Sequence, residues 1–133
     1  MKRVTGIGGI FFKATDPKSL KEWYRDHLGI DAGDYGATFE WRDKDDPSQE
    51  GQTAWSLFPH DTKYFDPSTS SFMFNYRVAD LDELLDVLRA EGVAVDRVES
   101  SPYGNFAWIS DPEGNRIELW EPASEDPDAT TQS

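Results

Sequence analysis

The chain has 133 residues, a formal net charge of −13 and no cysteine. This length suits one domain, and the absence of thiols excludes a disulfide scaffold, a zinc finger and a cysteine nucleophile. The acidic balance disfavours nucleic acid and anionic membranes as partners, because both are negatively charged. No stretch has the length of a membrane span or the pattern of a signal peptide, so we expect a cytoplasmic protein.

The first predicted element is a strand over residues 5–14, where side chains of opposite character alternate. A helix follows, with Asp16 as its N-cap and Pro17 at the first helical position, and it ends at Gly29. Its apolar side chains recur at helical spacing; they are Leu20, Trp23, Tyr24 and Leu28.

A second helix is predicted to begin at Asp80 and to end at Gly92, with an acidic first turn. The sequence Asp111-Pro112-Glu113-Gly114-Asn115 is typical of a tight turn between two strands. The remaining predicted strands cover residues 37–41, 53–58, 72–78, 93–98, 105–110 and 116–120.

These elements repeat along the chain. Asp16 and Asp80 start the two helices, Gly29 and Gly92 end them, and the two pairs are offset by almost the same number of residues. We therefore predict two strand–helix–strand–strand–strand units, at about 4–59 and 72–121, within one domain over residues 1–121. Such units bury one face each by packing together. Residues 122–133 are acidic and contain no base, so we expect a disordered tail there.

Several motifs carry a resemblance to a known family. They are Gly6-Ile7-Gly8-Gly9-Ile10-Phe11-Phe12, Trp23-Tyr24-Arg25-Asp26-His27-Leu28-Gly29, Tyr76-Arg77-Val78-Ala79-Asp80-Leu81-Asp82 and the stretch from Asp111 to Trp120. Together they resemble the vicinal oxygen chelate superfamily, which contains glyoxalase I, extradiol dioxygenases and bleomycin resistance proteins. The resemblance implies an α+β fold in which two βαβββ units form a curved mixed sheet around a central cleft. It also implies a homodimer.

Metal-dependent members of that superfamily hold a divalent cation with four ligands in the cleft. The corresponding positions in this chain are Gly9, Ser56, Met73 and Glu118. Only Glu118 can ligate a hard divalent cation, and one carboxylate does not hold such an ion tightly. His27 falls in the last turn of the first helix and His60 in a loop, where packing and solvation explain them. We therefore predict no metal and no other cofactor.

Strand alternation places further side chains beside these four positions. An aromatic concave face suits a flat or conjugated small molecule. For the tryptophans, packing in the core is the alternative to a place in the cleft. In a middle strand, a bulge would exchange the residues assigned to the cleft face and to the core face. The predicted ligand-binding residues are Phe11, Lys13, Trp41, Phe58, Met73, Asn75, Arg77, Trp108 and Trp120.

Glu118 is the candidate catalytic residue, because a carboxylate among aromatic side chains can serve as a general acid or base. A structural ion pair with Arg77 or Arg116 is one alternative, and a remnant of a lost metal site is another.

The function predicted from these observations is metal-independent binding of a small aromatic or amphipathic molecule in an aromatic cleft. Two enzymes are the alternatives. One is a divalent-metal-dependent lyase, isomerase or dioxygenase of the glyoxalase type, and the other is a metal-free acid–base enzyme that uses Glu118. The expected partners are a small-molecule ligand and a second copy of the chain.

Overall fold

The computed structural model describes residues 3–123. Within this range the chain folds into seven strands and two helices, in the order expected from the sequence. The elements are β1 (Val4–Ala14), α1 (Pro17–Leu28), β2 (Ala37–Arg42), β3 (Glu50–Pro59), β4 (Phe72–Val78), α2 (Leu81–Ala90), β5 (Arg97–Ser101), β6 (Gly104–Ser110) and β7 (Arg116–Pro122). No helix in this range is long and apolar enough to cross a membrane.

The caps predicted from the sequence start both helices and end α1, whereas α2 ends at Ala90 with Glu91, one residue before Gly92, as its C-cap. The Asp16 carboxylate accepts a hydrogen bond from the backbone N–H of Ser19, and the Asp80 carboxylate accepts one from that of Glu83. Gly29 ends α1 in the left-handed conformation, at φ 71°. The two helices differ in burial, because α2 buries three leucines whereas α1 buries no residue completely.

The seven strands form one curved mixed sheet in the order β2-β3-β1-β4-β7-β6-β5. Within each unit the first and last strands run parallel, as β1 with β3 and β4 with β7. The units meet where β1 and β4 pair antiparallel at the middle of the sheet. The predicted α+β class with a mixed sheet is confirmed.

The sheet has a helix face, which α1 and α2 cover, and a helix-free face. On the helix face, α2 packs with strand side chains into a core of Val78, Leu81, Leu84, Leu85, Ala107, Ile109 and Leu119. A second core lies on the helix-free face and contains Phe11, Phe65, Met73 and Trp108. The first core confirms the predicted alternation, since side chains of β4, β6 and β7 that face α2 recur at every second position.

Two elements differ from the expectation. The first unit has three strands instead of four in the described range, and an isolated bridge between Gly33 and Gly36 lies between α1 and β2. Strand β5 covers Arg97–Ser101 rather than residues 93–98, because Val93 and Val95 pack against α2 without joining the ladder with β6. β7 extends to Pro122, and the tail predicted beyond it lies from residue 124 outside the described residues.

Candidate functional site

Glu118 lies in the middle of β7 on the helix-free face, where only 2% of it is exposed. Asn75 Nδ2, on the neighbouring strand β4, donates a hydrogen bond to Oε1 at 2.6 Å. Trp108 Nε1, on β6, donates to Oε2 at 3.0 Å, and the hydroxyl of Tyr64 donates to the same oxygen. Both oxygens of this buried carboxylate are therefore engaged by protein donors.

Tyr64 belongs to the connection between the two units, residues 60–71, which crosses the helix-free face. Its ring stacks on Phe58 at a centroid distance of 5.5 Å. Burial, and then the charge and hydrogen bond of Glu118, raise the pKa of the Tyr64 hydroxyl well above its usual value. Tyr64 thus remains a neutral donor to the carboxylate, and it fastens the connection to β7.

Phe65 follows Tyr64 and fills the space beneath the connection. Its side chain is completely buried, as is that of Met73, and both pack with Phe11 and Trp108. Lys13 covers the cluster from the edge, with its Nζ 5.4 Å from the centre of the Phe65 ring. The family resemblance predicted a cleft in this region of the helix-free face. In this chain a hydrophobic core fills the region instead.

A separate pocket of about 460 Å³ lies at the other end of the same face. This volume is in the range of small-molecule sites. Side chains from β2, β3, β4 and β7 and the turn between β5 and β6 surround it. The lining residues are Glu40, Trp41, Arg42, Glu50, Gly51, Gln52, Arg77, Pro102, Tyr103, Trp120, Pro122 and Ala123.

Glycines make room for the indole of Trp41, which lies flat against β1 and β3. A Cβ on Gly6 would come within 2.3 Å of the ring, and a Cβ on Gly51 within 2.4 Å. The indole Nε1 donates to Thr53 Oγ1 at 2.8 Å, and this hydroxyl donates to the carbonyl of Ile7. The Trp41 ring is thus held in place before any ligand arrives.

Arg77 forms the floor of the pocket between two indoles. Its guanidinium carbon lies 5.6 Å from the centre of the Trp41 ring and 5.0 Å from that of Trp120. Trp120 is fixed in turn, because its Nε1 donates to the Tyr103 carbonyl at 2.9 Å and its ring stacks on Phe106. The floor is therefore aromatic and positively charged.

The acids of the pocket lie at its exposed rim. Glu50 forms an ion pair with Arg42 at 3.3 Å, and both side chains are more than half exposed. Glu40 is exposed as well. Such solvated charges interact weakly because water screens them, whereas Arg77 is half-buried.

The structure divides the predicted ligand-binding residues between these two places. Trp41, Arg77 and Trp120 line the pocket. Phe11, Met73 and Trp108 belong to the core beneath the connection, and Phe58 packs against it. Lys13 lies over the Phe65 ring of that core. Asn75 donates a hydrogen bond to Glu118. Of the two arginines considered as ion-pair partners of Glu118, Arg116 pairs instead with Asp96.

The comparison with protein families decides the affiliation. The model of the Glyoxalase/Bleomycin resistance protein/Dioxygenase superfamily matches residues 6–119. This chain belongs to that superfamily. A search of curated protein sequences finds no significant match.

Solved structures of superfamily proteins share the fold. Methylmalonyl-CoA epimerase from Mycobacterium tuberculosis is 25% identical, with a TM-score of 0.59 over 94% of this chain and 93% of that one. A variant of the Streptomyces coelicolor epimerase is 21% identical, with a TM-score of 0.64 over 91% and 99%. A superfamily member from Vibrio splendidus is 13% identical, with a TM-score of 0.52 over 86% and 97%.

The side chains at the four positions of the superfamily metal site do not fit a divalent cation. Gly9 has no side chain, and Met73 is buried in the aromatic core. The hydroxyl of Ser56 donates to the carbonyl of Tyr35, and the oxygens of Glu118 accept the three bonds described above. Between residues 3 and 123, no three His, Cys, Asp or Glu side chains converge as a metal-binding group. His27 contacts Trp23 on α1, and His60 is exposed after β3.

Tyr64 and Phe65 were not among the residues predicted from the sequence. Both lie in a polar connection without apolar periodicity, outside the motifs that carry the resemblance. The adjacent aromatic pair is itself the signal, because two large rings side by side in a loop require a surface to cover.

Proposed function

We propose that this protein binds a small planar aromatic molecule with an anionic group, without a metal, in the pocket formed by Trp41, Arg77 and Trp120. The observation that carries the proposal is the guanidinium of Arg77 between two fixed indoles in a pocket of about 460 Å³. Fixed aromatic walls bind flat molecules at low entropic cost, since few side-chain rotamers are lost.

The charge distribution supports an anionic group on the ligand. The guanidinium carries five donors in a planar fork, which matches the geometry of a carboxylate. Arg77 is half-buried at the floor, so an ion pair there is less screened than at the rim. A ring packed beside Trp41 or Trp120 would bring a carboxylate into reach of this fork.

Glu118 supports acid–base catalysis less well than it supports a structural role. A general base must reach the proton that it removes, and Tyr64 occupies one oxygen of this buried carboxylate. Asn75 donates to the other oxygen, and Trp108 donates to the same oxygen as Tyr64. A substrate would therefore have to displace the connection to contact Glu118.

Tryptophan fluorescence titration with 2-naphthoate and 2-naphthamide tests the proposal. The two probes share a fused ring and differ in charge. We expect saturable quenching by 2-naphthoate and roughly 10- to 100-fold weaker binding of the amide, which lacks the charge-assisted hydrogen bonds. Arg77→Gln should remove this difference between the probes.

Matched variants locate the site. The double variant Trp41→Ala/Trp120→Ala should lose saturable binding, whereas Trp23→Phe, on α1, should retain it. A linear response to both probes would overturn the proposal. Equal affinity of the wild type and the double variant would overturn it as well.

A further inference from the structure

The pocket formed by Trp41, Arg77 and Trp120 is larger than one aromatic ring requires. Its volume is about 460 Å³, whereas a cavity of about 150 Å³ already accommodates a benzene molecule. A ligand whose anionic group binds at Arg77 therefore has space to extend beyond its first ring. The side chain at the far end of this space determines which ligands fill it.

The indole of Trp120 extends from the centre of the sheet to the turn between β5 and β6. Trp120 lies directly opposite Arg77 in the ladder of β4 and β7. One edge of the indole lies close to Gly8 on β1, because a Cβ on that glycine would be 3.1 Å from Cε3. At the other edge, Nε1 donates to the carbonyl of Tyr103 at 2.9 Å. A ligand that packs along this indole from Arg77 therefore reaches Tyr103.

The turn fixes the backbone of Tyr103 at the edge of the pocket. Its carbonyl accepts a second hydrogen bond, from the backbone N–H of Ala123 at 3.0 Å. Gly104 follows at φ 130°, where a Cβ would clash with the carbonyl oxygen of Glu121. The position of Tyr103 is therefore set by contacts of the backbone, and its ring moves only by rotation of the side chain.

Tyr103 differs in exposure from the other two aromatic side chains that line the pocket. Trp41 and Trp120 are half-buried and held by hydrogen bonds, whereas Tyr103 is 76% exposed. A tyrosine contributes a large ring to a contact and loses the freedom of only two side-chain torsions. Aromatic rings also attract each other in offset or edge-to-face arrangements. A ring at the far end of the ligand would therefore bury apolar surface of its own and of Tyr103 together.

We propose that Tyr103 determines the specificity of this pocket, and that the ligand carries two aromatic rings, fused or linked. The anionic group binds at Arg77, the first ring packs beside Trp120, and the second ring packs against Tyr103. This inference rests on the proposed function and adds that the length of the aromatic part determines affinity. The ring of Tyr103 makes the contact, so its hydroxyl is not required.

Tryptophan fluorescence titration with 2-naphthoate, and competition of benzoate against it, test the inference on the full chain. The two probes share the carboxylate and differ in the number of rings, and only the longer one reaches Tyr103. We expect Tyr103→Ala to reduce the preference of the protein for 2-naphthoate over benzoate roughly tenfold. Tyr103→Phe keeps the ring and should restore the preference. Tyr35→Ala is the matched control, because Tyr35 is 96% exposed and does not line this pocket.

The ratio of the two affinities separates a specific contact from a general loss of structure. Equal weakening of both probes in Tyr103→Ala would overturn the inference, because damage to the turn affects every ligand of the pocket. An unchanged ratio would overturn it as well, while binding that depends on Arg77 would leave the proposed function intact. A Tyr103→Phe variant as impaired as Tyr103→Ala would assign the contact to the hydroxyl and overturn the role of the ring. If the wild type binds neither probe, the proposed function fails and this inference fails with it.

Discussion

The hydroxyl of Tyr64 donates a hydrogen bond to Oε2 of Glu118, although the two residues lie 54 positions apart in the chain. The contact joins the connection between the units to the strand that carries the family motif. Glu118 is the one acidic residue at the four superfamily metal positions, and here it holds the connection that covers the hydrophobic core. Ser70 adds a second tie, because its hydroxyl donates to Asn115 Oδ1 at 2.9 Å in the turn before β7.

Removal of the Tyr64 hydroxyl should destabilise the fold while the aromatic ring and its packing are retained. Tyr64→Phe keeps the ring stacked on Phe58 but leaves the buried carboxylate with one donor fewer. We expect a loss of about 1–3 kcal/mol in the free energy of unfolding, measured by urea denaturation. Tyr35→Phe, at an exposed position, should have no effect. Equal stability of Tyr64→Phe and the wild type would show that the hydrogen bond contributes nothing.

Alkaline pH should weaken the same contact. The pKa of Tyr64 is raised in the folded protein, so its contribution is complete below the ordinary tyrosine pKa of about 10 and is lost as the pH rises beyond it. The stability difference between the wild type and Tyr64→Phe should therefore shrink as the pH rises above 10. The Tyr64 side chain is 40% exposed, so solvent screening reduces the size of this change. Urea titrations on both sides of that pH measure the difference. A constant difference would contradict the raised pKa.

Divalent metals should neither bind stoichiometrically nor stabilise the protein. The side chains at the superfamily metal positions offer one carboxylate, and its oxygens already accept three hydrogen bonds. After dialysis against Ni, Zn, Mn, Co or Fe(II), elemental analysis should find far less than one equivalent, and chelator should leave Tm unchanged. One retained equivalent that disappears in Glu118→Ala would contradict this prediction.

A methyl group at Gly51 should disrupt the ligand pocket. The added Cβ would lie 2.4 Å from the Trp41 indole, so the ring must leave its position against the sheet. We expect Gly51→Ala to cost about 1–3 kcal/mol of stability and to weaken binding of 2-naphthoate at least tenfold. Gly33→Ala is the control, since a Cβ there meets no atom within 4 Å. Normal binding by a folded Gly51→Ala variant would contradict the role of Trp41.

Local signals in the sequence were sufficient for the elements of the fold. Asp16 and Asp80 predicted the helix starts because capping depends on residues within one turn. Alternation predicted the positions of six of the seven described strands, since it reports which face is buried at each position. It failed for β5, where Val93 and Val95 are partly buried against the core around α2 without strand pairing, because a hydrophobic pattern does not distinguish burial from ladder hydrogen bonds.

The candidate site required the tertiary structure. The sequence identified Glu118, Arg77 and the aromatic excess, and it showed that three of the four metal positions lack an acidic or imidazole side chain. It gave no means of dividing those aromatics between a core and a pocket. That division depends on Tyr64 and Phe65, which reach the sheet from an aperiodic connection, and on glycines that admit Trp41. Local sequence signals, namely caps, alternation and motifs, predicted the secondary structure and the family. Contacts between residues distant in the chain decided which part of the helix-free face is filled by a core and which part remains an open pocket.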